Sequence, residues 1–185
     1  MGKDATRDVE HEEMIQLFER IVGEIFKLQS KVDLLRSFGA EPELWLRNEI
    51  ALNLHQFFGA HVKCEAKYLG TNQRLDLHIV GLKQVYVIEL KVEDRNSSNM
   101  IPPLATDARK IMRFVPEADT AKPVVRCLLA VGLTDKEGAK LAAAGTSDLV
   151  PNPGRVCRQQ GNMTVMMLGL EQRRPPVSGN GPRRW

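Results

Sequence analysis

Gln73-Arg74-Leu75-Asp76-Leu77-His78-Ile79-Val80 is followed, after Gly81-Leu82-Lys83-Gln84, by Val85-Tyr86-Val87-Ile88-Glu89-Leu90-Lys91-Val92. Two alternating runs around a short polar connection predict a β-hairpin. Alternation places Leu75, Leu77 and Ile79 on one face of the first strand, opposite Arg74, Asp76 and His78. On the second strand Tyr86, Ile88, Leu90 and Val92 share a face, opposite Glu89 and Lys91. Centring the turn between Leu82 and Lys83 sets Asp76 opposite Glu89 and Arg74 opposite Lys91. Like charges directly opposed across a sheet are destabilising, so a cation between the two carboxylates is expected. Oxygen ligands without His or thiolate suit Mg²⁺ or Mn²⁺ rather than Zn²⁺.

Outward from the hairpin, apolar spacing predicts a mixed α/β domain over residues 39–171. Pro42 stands near the start of a helix that runs to about Phe58 and stops at Gly59. Leu46, Ile50, Leu54 and Phe57 mark its buried stripe, and Glu49 at the stripe's margin offers a third carboxylate. Residues 62–69 are a first strand, on which Glu65 and Lys67 read as an exposed edge pair. After the hairpin come a polar loop over 94–103 and a helix over 104–115. Strand 124–131 is strongly apolar and reads as central. A helix over 134–144, capped by Thr134 or Asp135 and stopped by Gly145, precedes a last strand at 163–170.

Residues 8–38 read as one long helix. Met14, Phe18, Ile21, Ile25, Leu28, Val32 and Leu35 recur at heptad spacing. Such a seam packs either on its own domain or on a second copy, so residues 1–38 are a candidate homodimerisation element. Residues 172–185 are rich in Pro, Gly and Arg and too polar to bury a core, which predicts a disordered basic tail.

Composition narrows the function classes. A chain of 185 residues with 43% hydrophobic and 26% charged residues is an ordinary globular protein. Its three cysteines form no CxxC pair, which argues against a disulfide scaffold or a cysteine zinc site. No apolar run is long enough to span a membrane, and no signal peptide is visible, so a cytoplasmic protein is expected. The net charge of +3 is misleading. Arg173, Arg174, Arg183 and Arg184 in the tail carry +4 with no acid, leaving the first 171 residues at −1. Polyanion binding must therefore rest on a local arrangement of groups.

Glu49 on a helix, Asp76 on a strand and Glu89-Leu90-Lys91 ending the next strand resemble the PD-(D/E)XK nuclease superfamily. The resemblance covers residues 43–131, about half the chain. It implies a restriction-endonuclease-like αβββαβ core, here preceded by a long N-terminal helix. It also implies a Mg²⁺- or Mn²⁺-dependent nuclease acting on nucleic acid, with DNA the expected substrate. Carried over, Asp76 and Glu89 are metal ligands, Glu49 is an auxiliary ligand, and Lys91 positions the water. Leu75 stands where the family name has Pro. A carboxylate-held divalent ion supplies the hydroxide, the clamp on the pentavalent charge and help for the leaving alkoxide. His78, Asp107, Arg109, Lys110 and Arg113 are candidate substrate contacts, the last three as phosphate-gripping cations on one helix. The alternative is a catalytically silent nuclease-fold subunit of a larger nucleic-acid or defence assembly.

Overall fold

The structure, a computed structural model, describes residues 3–58, 61–68, 71–81, 84–94, 99–114, 122–144 and 154–170, with the backbone alone at 3–10, 57 and 58. The tail 172–185, the hairpin residues 82–83 and the helix stops at 59 and 145 lie outside the described residues.

Eleven elements follow in chain order: α1 Lys3–Lys27, α2 Gln29–Ser37, α3 Pro42–Phe58, β1 His61–Lys67, β2 Arg74–Val80, β3 Val85–Val92, α4 Ile101–Ile111, β4 Val124–Gly132, α5 Asp135–Ala144, β5 Arg155–Gln160 and β6 Met163–Leu170. The strands form one six-stranded sheet in the order β1-β2-β3-β4-β6-β5. It is mixed. β3 and β4 are parallel, joined through α4, while the other neighbours are antiparallel. Parallel neighbours need such a crossover, and they become the buried centre of the sheet.

Helices cover both faces. α1 and α3 lie over one face, burying Ile79, Tyr86, Ile88, Leu90 and Val92. α4 and α5 lie over the other, α4 covering Val85 and Val87. The charged face of β3 is thus not open to water along its length. Glu89 on that face is itself buried, and Lys91 is its one partly exposed residue.

The predicted helix over 8–38 is two helices. Leu28 breaks the ladder with a three-residue turn, its N–H donating to the Ile25 carbonyl at 3.0 Å. Gln29 just beyond donates from Nε2 to Asn162 Oδ1 at 3.1 Å, tying the break to the β5–β6 turn. The heptad seam nonetheless runs on through the break. Met14, Phe18, Ile21, Ile25, Leu28 and Val32 are all buried in this chain's own core. The seam is therefore spent within the domain, and a second copy would have to dock elsewhere on the helix.

β5 was not anticipated. Arg155-Val156-Cys157-Arg158-Gln159-Gln160 reads as polar because it is an edge strand on which Val156 alone is fully buried. Its hairpin to β6 turns at Gly161-Asn162, with Gly161 at φ 56°. That positive φ suits the first position of a two-residue hairpin turn. The helix expected over 104–115 begins at Ile101 instead, with Pro102 and Pro103 in its first turn, where missing N–H groups cost nothing. Thr134 is the cap of α5, its Oγ1 accepting the Glu137 N–H at 3.3 Å.

Candidate active site

The hairpin pairs in the expected register, from Leu77 with Ile88 to Val80 with Val85. That register carries Asp76 to the level of Glu89. The ladder stops there. Asp76 Oδ2 accepts the Leu90 N–H at 2.8 Å, taking the place of a backbone carbonyl. On the other side, β1 pairs with β2 above and below Glu65 but not at it, and Glu65 has φ 54°. The sheet thus opens on both flanks of Asp76. β2 turns over at this point: Leu75, expected beside Leu77, packs in the opposite core.

Glu89 lies inward at this opening and is 3% exposed. Its carboxylate accepts the Tyr68 hydroxyl at 2.7 Å and lies 2.8 Å from Lys110 Nζ. Burial, with the Asp76 charge adding to it, pushes the Glu89 carboxyl up to about 7 against the pull of those two donors. Burial and the bond to Glu89 likewise push the Tyr68 phenol well above its ordinary range. The Tyr68 ring is fixed edge-on to Phe114 at 4.9 Å.

Lys91 Nζ is 3.0 Å from Glu43 Oε2, and the same oxygen accepts the Val92 N–H at 3.1 Å. Burial alone would lower the Lys91 pKa. The Glu43 hydrogen bond and charge, with Asp107 and Asp76 behind them, raise it overall. Lys91 is therefore a cation at neutral pH, suited to holding a water or phosphate oxygen rather than removing a proton. Asp107 on α4 joins the same field. Burial raises its carboxyl pKa, and Lys110 and Lys91 oppose that.

Two buried carboxylates fix the frame around these groups. Glu93, next after β3, accepts the Leu133 N–H and both the N–H and hydroxyl of Thr134. This ties the end of β3 to the start of α5. Glu137 accepts the Met100 N–H at 3.0 Å, which sets where α4 begins. A hollow of about 210 Å³, bordered by Arg36, Glu43 and Lys91, opens beside the site.

Asp76, Glu89, Lys91, Asp107 and Lys110 are therefore gathered at one end of β3. Glu49 is not gathered with them. It stands about 200° round the helix from Arg47, whose guanidinium meets Asp76. Among the described residues its carboxylate has no hydrogen bond or ion pair. Glu43, one turn before Arg47, is the helical acid that reaches the site. His78 packs its ring against Phe114 at 6.1 Å. Arg109 turns back on its own helix, donating to Ala105 O and Thr106 Oγ1, and Arg113 is exposed. Sequence reasoning passed over Glu43, Arg47 and Tyr68. The first two stand one helical turn apart, a spacing that marks one face of α3. Tyr68 gave no signal beyond being an aromatic residue at the end of β1.

Among the described residues, no three His, Cys, Asp or Glu side chains are clustered as a ready cage for a metal ion. The donor chemistry nonetheless suits a hard divalent cation, since Asp76, Glu89 and Glu43 offer carboxylate oxygen alone. Each is already matched by an internal cation: Arg47, Lys110 and Lys91 in turn.

A buried acid with a raised pKa makes stability depend on pH. Below the ordinary Glu value near 4.5, Glu89 is protonated in both the folded and the unfolded chain, and burial costs nothing. As pH rises towards 7 the unfolded chain ionises first, so the folded state loses ground. The loss is on the order of 3 kcal/mol for a shift of this size. Urea unfolding of metal-free protein should show a fall in stability from pH 5 to pH 8. Glu89→Gln should remove most of that fall, and an unchanged slope would show that Glu89 is not the group responsible.

Among the described residues no helix is long and apolar enough to cross a membrane. Comparison with protein-family models, curated protein sequences and solved structures finds no match for this chain.

Proposed function

We propose that this chain is a divalent-metal-dependent nuclease, with DNA as its substrate, built on a restriction-endonuclease-like core. The observation that carries the reading is Asp76 on the Leu90 N–H, the residue between Glu89 and Lys91, where the strand pairing ends. The order α3-β1-β2-β3-α4-β4, with β3 and β4 parallel, supports it as the αβββαβ arrangement that such a core requires.

Asp76 and Glu89 would hold the ion, with Glu43 assisting from α3. A bound Mg²⁺ supplies an activated water and a clamp on developing phosphate charge. Lys91, held charged by Glu43, orients the attacking oxygen and offsets charge on the phosphorus centre. Tyr68 fixes the Glu89 carboxylate from below. Glu93 keeps the end of β3 in place while substrate binds.

The test is incubation of plasmid, linear and branched DNA with purified protein in Mg²⁺, Mn²⁺ and chelator. Cleavage in either metal, lost with chelator, is the expected result. A second reading, a silent nuclease-fold binding module, draws on the internal cation that each carboxylate already carries. Folded protein that cuts no substrate, and binds neither metal at millimolar concentration by calorimetry, would establish that reading instead.

A further inference from the structure

We propose that Arg47 is a substrate-binding residue for the phosphodiester, held on Asp76 until a divalent cation takes that carboxylate. The inference rests on the reading of Asp76 as a metal ligand.

Arg47 is set deep beside the opening in the sheet, with its side chain only 11% exposed. Its two terminal nitrogens are divided between two acids. Nη2 donates to Glu65 Oε1 at 3.1 Å, and Nη1 to Asp76 Oδ1 at 3.4 Å. The Asp76 contact is the longer one, and Asp76 is also bound by the Leu90 N–H. A guanidinium stays charged at any working pH and presents a planar fork of donors, the geometry that phosphate oxygens match.

Glu65 is what keeps the arginine in place. Its φ of 54° lies in the left-handed region, which is strained for a residue with a Cβ. That conformation comes with a carboxylate shared between Arg47 and Arg74, the latter at 2.9 Å. Strain of this kind persists where surrounding contacts hold it, and it concentrates at functional sites. When a cation competes for Asp76, the Glu65 contact still anchors Arg47. One arm is released and the other remains tied, so the guanidinium keeps its position and gains unused donors.

The charge balance gives this a consequence for order of binding. Asp76 with Arg47, Glu89 with Lys110, and Glu43 with Lys91 each pair an acid with a cation, and Asp107 adds a further acid beside them, so no cation is in excess. A site so paired has no net pull on a polyanion. A divalent cation adds two positive charges and frees the Arg47 arm at the same time. Metal therefore binds first and nucleic acid second, and Arg47 opposes the first step while promoting the second.

These opposed effects make the test specific. Mn²⁺ affinity is read by calorimetry. Binding of a short fluorescein-labelled DNA duplex is read by anisotropy, in Ca²⁺ and in chelator. Arg47→Gln removes the competitor, so Mn²⁺ should bind about three- to tenfold more tightly. The same variant should bind duplex in Ca²⁺ about 10- to 100-fold more weakly than wild type. In chelator the two proteins should be equally weak. Arg47→Lys keeps the charge but loses the fork, and should weaken duplex binding in Ca²⁺ while leaving Mn²⁺ binding near the wild-type value.

If Arg47 only braces the fold, Arg47→Gln weakens metal and duplex binding together, and the proposal fails. It also fails if duplex affinity in Ca²⁺ is unchanged in both variants. Wild-type protein that binds Mn²⁺ normally while either of these results holds leaves the nuclease reading standing. Wild-type protein that binds no Mn²⁺ overturns both.

Discussion

Lys91→Ala protein, supplied with Mg²⁺ and DNA, should cleave about 10²–10³-fold more slowly than wild type. The size follows from loss of one fixed cation at the point where negative charge develops. The ammonium is held 3.0 Å from Glu43, and Glu43 keeps a second anchor in the Val92 N–H. The variant should therefore retain the fold, losing about 0–1 kcal/mol for a part-exposed ion pair. Lys91→Met should behave alike, because it preserves the stem and removes only the charge. Single-turnover cleavage, with unfolding in urea as the control, separates lost chemistry from lost structure. Wild-type rates in either variant would remove Lys91 from the mechanism.

Phe18→Ala should destabilise the chain by about 3–5 kcal/mol. Phe18 is 0% exposed and sits among Ile21, Ile25 and the sheet residues under α1. In a chain of this length that loss should lower the unfolding midpoint by about 10 °C or more. It should do so equally at low and high protein concentration, because the seam is satisfied within one chain. A seam shared between two chains predicts otherwise: a wild-type midpoint that rises with concentration. Thermal melts over a wide concentration range distinguish the two.

Much of the fold was legible because pattern and environment agree. β3 stands at the bounds its apolar run predicts, and α3 lies close to those its stripe predicts. α3 carries one apolar stripe, and β3 is an apolar run buried on both faces. The hairpin register follows from centring the short connection between Leu82 and Lys83, and the observed pairs keep it. Where local pattern and tertiary setting part, reading failed. β5 needs only one buried residue, because it closes an edge. Leu28 has helical neighbours and an apolar side chain, so the break there leaves no trace in composition. Leu75 obeys alternation in sequence, yet it changes faces where the ladder yields to Asp76.

The candidate site was legible in part. Alternation and the hairpin register carry Asp76 to the level of Glu89 and Lys91, and the bond from the Leu90 N–H fixes it there. Glu43 and Arg47 come from a helix whose rotation about its axis is set by packing. Margin residues on such a stripe cannot be ranked by spacing, and Glu49 was chosen where Glu43 reaches the site. Tyr68 and Lys110 converge on Glu89 from separate elements, and only the closed fold shows them to be partners. The charge matching that follows is likewise a property of the folded site, and the small net charge of the sequence gives no hint of it.

Asp76 and Glu89 would together hold one divalent cation. Crystals grown with Mn²⁺, examined at a wavelength where manganese scatters anomalously, test it most directly. The expected result is an anomalous peak ligated by both carboxylates, with the Arg47–Asp76 and Lys110–Glu89 pairs broken. Both pairs intact at saturating Mn²⁺, with no peak between the two carboxylates, would contradict it.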